Sequence, residues 1–431
     1  MIDLHPPSDN RPQPEVDAVY DVVVIGAGPA GATVGGLIAE HGHRVLILER
    51  SPFPRFHLGE SLIPQTYWPL KRLGLIDQLK QTAFPRKYSV QFVTEDGKES
   101  APFYFDQYNP YECSVTWQVV RSEFDKMLVD RALELGAVVH TSAQVLDVLF
   151  DDDRAIGVRM MLSGDGERST RDVSAQVVVD ATGQSAFLAN RLGLKQPDKR
   201  LKKGSVWSYF QGAHRDTGKD EGATIILQTE GKKSWFWYIP LPDDIVSVGC
   251  TGSMHDLFAT GRGDAEQIFN EELTRCRGVQ RRLKKATRIT KYLTTKDFSY
   301  CASRAAGPGW LLVGDALRFI DPVYSSGVFL ALKSGEFAAD AIHDALLAAD
   351  VSTARLGVWQ PAYAEGVELF RKLVYAFYTP GFSFGQFLRE HPQHRNNLVD
   401  ILIGDVFKPG VGEIFEAMGE VLPPPDVETD R

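Results

Sequence analysis

Three glycines and a glutamate carry the first chemistry in this chain. Asp21-Val-Val-Val-Ile-Gly26-Ala-Gly28-Pro-Ala30-Gly31 is an apolar run that ends in a Gly-x-Gly-x-x-Gly turn. Gly26 permits a tight turn, Gly28 leaves room for a pyrophosphate against the backbone, and Gly31 lets a helix pack closely on a strand. A second apolar run, Arg44-Val-Leu-Ile-Leu-Glu49, ends in a carboxylate placed to accept hydrogen bonds from a ribose diol. The helix start between the two runs offers unpaired N–H groups and the positive end of a dipole to phosphates. An ordinary flexible turn would need none of these flanking elements. The pattern binds a dinucleotide.

The elements that must position these residues follow in order. Residues 32–40 read as the helix of a β-α-β unit. Residues 50–61 form an ordered loop rich in proline and glycine, and 62–80 have helical periodicity broken at Gly74. Residues 87–93 alternate like a strand, with 102–105 as hairpin partner. The segment 121–135 is an amphipathic helix, 137–140 a strand, and 144–149 with 155–161 a hairpin. Residues 176–180 form a buried strand leading to Gly183. Strands at 205–211, 223–228, 234–240 and 245–251 suggest an antiparallel sheet, followed by a helical stretch at 265–283. The strand-then-glycine pattern returns at Trp310-Leu-Leu-Val-Gly314-Asp315, and a long helix of small residues spans 327–348. The rest, from 353, reads as mostly helical, with Pro380 and Pro409 as breaks and a disordered-looking tail at Pro423-Pro-Pro.

Composition narrows the class. The chain has 431 residues, 43% hydrophobic and 24% charged, which suits a globular protein with two or three subdomains. A net charge of −9 argues against nucleic acid or an anionic membrane as partner. Cys113, Cys250, Cys276 and Cys301 are widely separated, which argues against a zinc site or a disulfide framework and fits a reducing cytoplasm. The histidines show no ligand spacing, so no metal is expected. Residues 1–19 are polar and read as a loose arm rather than a signal peptide, and no apolar run approaches a membrane span.

The fingerprint alone would serve NAD or FAD. Asp180-Ala-Thr-Gly183, Gly314-Asp315 and the helix opening at Arg121, with Asp125 one turn on, resemble the FAD-dependent monooxygenase superfamily of para-hydroxybenzoate hydroxylase topology. Within it, Trp235-Phe-Trp237-Tyr-Ile-Pro240 matches the Trp-x-Trp-x-Ile-Pro motif of the flavin-dependent halogenases. The loop Phe56-His-Leu-Gly-Glu-Ser61-Leu-Ile-Pro64 is also similar to theirs. The resemblance covers roughly residues 20–385 and extends to the halogenases of phenols and pyrroles.

It implies an α/β fold: a glutathione-reductase-like FAD-binding Rossmann domain (20–86, 116–200 and 296–348) with an inserted antiparallel β-sheet substrate domain (87–115 and 201–295). A C-terminal helical region occupies 349–431. It further implies that FAD is held by Gly26, Gly28, Ala30, Gly31, Glu49, Arg50, Arg121, Val145, Gly314, Asp315, Gly327 and Val328. Halide, chloride or bromide, would bind at Ser326 and Gly327. In such enzymes reduced flavin and oxygen give a flavin hydroperoxide, halide attack yields hypohalous acid, and a lysine holds that oxidant beside the substrate. Lys87 resembles that lysine. On its residue type alone it would be a solvated strand-edge lysine, whereas partial desolvation would make it a nucleophilic amine. Ser326 is equally readable as a plain helix cap.

One position departs from the tryptophan halogenases. They carry a glutamate before the serine pair, where this chain has Tyr324, a poor proton acceptor at neutral pH. That favours an electron-rich phenol or pyrrole, free or tethered to an acyl-carrier protein. The segment 377–384 offers aromatics that either line a substrate mouth or pack between helices. With no second nucleotide domain evident, a separate NAD(P)H-flavin reductase is expected. A hydroxylase, a reductase of prenyl-like double bonds, or a non-catalytic flavin carrier on the same scaffold are the competing readings.

Overall fold

The protein is described by a computed structural model covering residues 13–164, 167–259, 261–296 and 298–419. Apolar runs bounded by glycines build its first layer. Strands Trp310–Leu312, Glu167–Asp180, Val19–Ile25, Val45–Leu48 and Val138–His140 lie side by side and parallel. Val22, Val23, Val24, Leu46, Ile47, Val177, Val178 and Val179 are fully buried. Helices cover this kind of sheet on both faces, so its strands read as unbroken hydrophobic runs. Helix Pro29–Glu40 packs between helices Arg121–Glu134 and Gly327–Leu347. It can do so because its residues are small: a β-carbon on Gly35 would stand 2.5 Å from Ile47. Strand Glu167–Asp180 begins well before the expected residue 176. Its first half pairs antiparallel with Arg154–Gly164, which in turn pairs with Ala143–Asp151.

The second sheet runs in the order Thr287–Arg288, Lys203–Gln211, Ile245–Ser253, Ser234–Leu241, Thr224–Gln228, Ser89–Val93, Phe103–Tyr104. It is antiparallel as expected except at one junction. Thr224–Gln228 runs parallel to Ser89–Val93, with Ile226 opposite Phe92. Strand Ser234–Leu241 is buried along its whole length, because both faces of the sheet are covered. Phe236, Tyr238, Val248 and Cys250 pack under helices Ala265–Thr274 and Arg277–Leu283. Trp207, Tyr209, Ile226, Trp235, Trp237 and Ile239 face the main core.

The expected strand at 87–93 is split. Arg86–Lys87 pairs with Thr116–Trp117 in a separate two-stranded ribbon, and only from Ser89 does the chain join the large sheet. Lys87 is therefore carried on a short ribbon at the junction of the two layers. The expected arm is held from Gln13 onward: the Gln13 side chain accepts the Thr141 N–H at 2.9 Å, and Asp17 pairs with Arg44 at 2.7 Å. The C-terminal region folds as helices Gln360–Tyr378, Phe384–Glu390 and Arg395–Ile403, with shorter turns, and the Pro423 tail lies outside the described residues. Among the described residues no helix is long and apolar enough to cross a membrane.

Candidate functional site

A cavity of about 890 Å³ runs from the glycine turn to the inner face of the second sheet. The glycines at its mouth divide into two kinds. Gly26 has φ +101, and a β-carbon there would lie 2.5 Å from the Ala181 carbonyl oxygen; on Gly31 it would lie 1.9 Å from the Gly26 carbonyl oxygen. Both are bare because backbone packs on them. Gly28 is different. Its φ is an ordinary −75, and the nearest atom to an added β-carbon is the Arg55 guanidinium, 3.6 Å away. What Gly28 keeps open is room on the cavity side of a helix start, the cradle a pyrophosphate needs.

Glu49 stands at the end of its strand with one carboxylate oxygen on the Ala27 N–H (3.1 Å) and the other on the Ser51 N–H (3.0 Å). Behind it lies a buried charge network. Arg121 grips Asp125 with two parallel hydrogen bonds of 2.8 and 3.0 Å, and donates to the carbonyls of Leu58 and Gly59. Arg55 bridges Asp125 (3.2 Å) and Glu49 (3.5 Å). Burial would raise the Asp125 carboxyl, but Arg121 and Arg55 hold it below its usual range. Arg55 was not singled out from the sequence; the signal available was its place after Phe53-Pro54, whose Phe53 ring lies 4.9 Å beneath the guanidinium.

Of the other expected cofactor residues, Ala30, Arg50, Val145 and Asp315 line the cavity, together with Gly327 and Val328 at the start of helix Gly327–Leu347. Gly314, at φ +57, makes the turn that presents Asp315. Ser325 lines the cavity, while Ser326 is buried beside it, away from the wall, and its side chain makes no cap. Unpaired N–H groups in that first turn, an anionic ribose partner and an open Gly28 fit FAD.

The far end is built differently. Trp235 and Trp237 form the wall, tied by Trp235 Nε1 to the Tyr378 hydroxyl (2.8 Å) and Trp237 Nε1 to Ser247 Oγ (3.2 Å). Lys87 is 1% exposed and lies just behind Ser61, donating to Ser61 Oγ at 2.8 Å and the Leu62 carbonyl at 3.0 Å. Burial lowers its amine to about 7. Tyr324 does not reach the cavity. It is buried edge-on to Phe377, 6.0 Å between ring centres, and burial pushes its hydroxyl pKa well up. Phe377 also packs on Trp235 and Tyr378, and Phe382 on Phe384 and Phe387, so these rings pack against one another.

Two cavity carboxylates escaped the sequence reading, since nothing in their local pattern marks them. Asp321 accepts from the Tyr378 hydroxyl (3.1 Å) and the Val323 N–H (3.0 Å), and burial raises it to about 7. Glu60 accepts from the Tyr209 hydroxyl at 2.6 Å and keeps its second oxygen buried without a partner; burial raises it, too, to about 7.

Fold and cavity together define an FAD-dependent enzyme, and the FAD binding domain family matches residues 19–335. The chain is 33% identical over 399 residues to a 1H-pyrrole-2-carbonyl-(peptidyl-carrier protein) brominase of Pseudoalteromonas luteoviolacea, covering 90% of this chain and 92% of that one. It is 28% identical over 426 residues to the corresponding chlorinase of Pseudomonas fluorescens, covering 94% of each. The solved structure of the flavin-dependent brominase Bmp2 superposes with a TM-score of 0.82 at 29% identity, over 93% of this chain and 98% of that one. The chain belongs to the flavin-dependent halogenase family.

Proposed function

We propose that this enzyme halogenates an electron-rich pyrrole or phenol, with Lys87 as the amine that takes up the oxidant. The observation that carries the reading is a buried amine with no carboxylate partner among the described residues, one hydroxyl away from a cavity walled by two tryptophans. Desolvation makes the ammonium costly, so the free amine is available near neutral pH. Bound FAD, reduced by a separate NAD(P)H-flavin reductase, supplies with oxygen the oxidising equivalents that turn chloride or bromide into hypohalous acid. The chain's own part is to seat that cofactor, hold halide against the backbone of the helix start at Ser326-Gly327 (the Ser326 side chain itself lying off the wall), and receive the halogen at Lys87. There the Nζ lone pair bonds to halogen, the halogen–oxygen bond breaks, and the oxygen leaves as water with a proton from the amine.

Substrate class follows from what faces the cavity. Tyr324 stands where tryptophan halogenases have a glutamate, and it is buried against Phe377, off the cavity wall. A ring that reacts without that carboxylate must be electron-rich. The names of the two pyrrole-2-carbonyl relatives support a substrate tethered to a carrier protein.

The test supplies purified protein with FAD, a flavin reductase, NADH, oxygen and bromide, and offers phenols and pyrroles both free and as carrier thioesters. Products are read by mass spectrometry for the bromine isotope pair. Brominated product that vanishes in Lys87→Ala, with FAD still bound, supports the reading. Halide-independent hydroxylated product would sink it in favour of a monooxygenase.

A further inference from the structure

Lys87 does not itself line the cavity, whereas Ser61 and Thr224 beside it do. Lys87 Nζ lies 2.8 Å from Ser61 Oγ, and Ser61 Oγ lies 2.8 Å from Thr224 Oγ1. The chain of contacts ends on Gln118, whose Nε2 donates to Thr224 Oγ1 (2.8 Å) and to the Gly222 carbonyl (2.9 Å). The Gly222 carbonyl can only accept, so it fixes which end of the Gln118 amide points here, and Thr224 must receive a hydrogen bond from it.

That constraint leaves two self-consistent arrangements. With Lys87 charged, its proton points at Ser61, the Ser61 hydroxyl points at Thr224, and the Thr224 hydroxyl is left to donate into the cavity. With Lys87 neutral, Thr224 donates to Ser61 and Ser61 donates to the nitrogen lone pair. The two arrangements differ by one proton shifted along the chain. The remaining surroundings of the amine are the Leu62 carbonyl at 3.0 Å and the Phe105 ring, 5.7 Å to its centre. Neither can accept and pass on a proton.

We propose that Ser61 and Thr224 form a proton relay between the Lys87 amine and the cavity. This rests on the reading of Lys87 given above. In the outward direction the ammonium N–H bond breaks and its electron pair stays on Nζ. The proton joins Ser61 Oγ, the Ser61 proton moves to Thr224 Oγ1, and the Thr224 proton passes to water in the cavity, which frees the lone pair that attacks hypohalous acid. The inward direction reverses each transfer. Gln118 is a positioning residue: it holds the Thr224 lone pair occupied so that the chain keeps one sense at a time.

Thr224→Val removes the terminal hydroxyl at nearly constant shape, and Thr224→Ser returns it. With the acceptor identified by the panel above, T224V should lose at least ten-fold in halogenation at pH 6.5, where the amine starts charged. It should lose less at pH 9, where the amine starts neutral, and T224S should restore most of the rate at both. Bound FAD should be unchanged. A second readout needs no flavin turnover: hypochlorous acid added directly to the protein, with N-chlorination of Lys87 read on its peptide by mass spectrometry. It should follow the same pattern across T224V and T224S. If T224V does not accumulate in folded form, Ser61→Ala makes the same cut at the other hydroxyl. Halogenation by T224V within two-fold of the parent at pH 6.5, an equal deficit at both pH values, or failure of T224S to rescue would each overturn the relay. Lys87→Ala, run alongside, separates the two ideas. If K87A halogenates like the parent, the lysine reading fails; if K87A is inactive and T224V is not impaired, the relay alone fails.

Discussion

The two ends of one cavity handle charge in opposite ways. At the glycine end the charges behind the turn are paired: Arg121 with Asp125, Arg55 with Asp125 and Glu49, and Glu49 with two backbone N–H groups; Asp315, which burial raises to about 7, is the exception. At the far end Lys87 has hydroxyl, carbonyl and aromatic neighbours, and Glu60 leaves an oxygen unpartnered. Paired charge is cheap to keep and fixes geometry, which suits holding a cofactor. Unpaired buried charge is expensive, which keeps the group near its neutral form and ready to exchange a proton. One fold thus separates binding from chemistry by counter-ion placement.

The largest break in this contrast is at Lys87. Lys87→Met keeps length and apolar packing but removes the amine, so halogenation should fall by roughly 10²–10⁴-fold, measured with the bromide assay. Stability should move the other way. The unfolded lysine titrates near 10.5 and the native one at about 7, so between those values the unfolded chain binds one more proton and unfolding becomes harder as pH rises. The native protein therefore carries its full penalty below pH 7 and sheds it towards pH 10. K87M should be more stable than the parent by roughly 2–5 kcal/mol at pH 7, judged from the shift, with the gap closing by pH 10. A K87M protein less stable than the parent at pH 7 in urea titrations would show that the amine is not under strain.

The opposite intervention at the paired end should cost stability. Asp125→Ala removes the carboxylate that grips the buried Arg121 guanidinium and one of the two that Arg55 bridges, and should destabilise by roughly 3–5 kcal/mol. It should also loosen the 58–59 loop that Arg121 holds. Chemical denaturation and FAD retention on gel filtration read both effects. Loss of FAD without loss of stability would mean that the network serves the cofactor alone.

The glycine end was the more legible in sequence, and the reason is physical. A close approach of backbone admits one residue type, so Gly26 and Gly31 announce themselves, and Glu49 follows from the strand that carries it. The same pattern read the parallel sheet and the long helix from Gly327. The far end is assembled from residues distant in the chain: Ser61, Lys87, Gln118 and Thr224 come from separate segments, and Glu60 on its loop meets Tyr209 of a distant strand. No local periodicity encodes those meetings. The split at Tyr88, which removes Lys87 from the large sheet, was hidden because two short strands in series alternate like one. Arg55 was hidden for a simpler reason: its partner Asp125 sits on a distant helix.

Within the glycine end, Gly31 and Gly28 should separate. Gly31→Ala places a β-carbon 1.9 Å from the Gly26 carbonyl oxygen, so backbone must move, at a cost of roughly 1–3 kcal/mol in the FAD-free protein. Gly28→Ala meets nothing nearer than the Arg55 guanidinium at 3.6 Å and should leave FAD-free stability within about 0.5 kcal/mol of the parent. It should nevertheless weaken FAD binding, and Gly28→Val should abolish it. A yellow, fully loaded G28V protein would refute the cradle.

The smallest effect, and the one that sharpens the contrast most, belongs to Glu60. Its unfolded carboxyl titrates near 4.5 and its native one at about 7, because burial outweighs the Tyr209 and Ser247 hydroxyls beside it. Between those values the native state holds the extra proton, so the parent loses stability as pH rises from 4.5 to 7, the reverse of the Lys87 slope. Glu60→Gln keeps the acceptor for Tyr209 and removes the ionisation. It should match the parent near pH 4 and exceed it by roughly 1–3 kcal/mol at pH 8. The two variants therefore give stability differences of opposite pH dependence: K87M diverges from the parent as pH falls towards 7, E60Q as pH rises towards 7. If E60Q showed no pH-dependent gain, the unpartnered oxygen of Glu60 would have to find a donor in solution, and the far end would be less starved of partners than its geometry shows. If both slopes appear, the amine behind the wall and the carboxyl on it hold opposite strains, and each is relieved by exchanging a proton with the cavity.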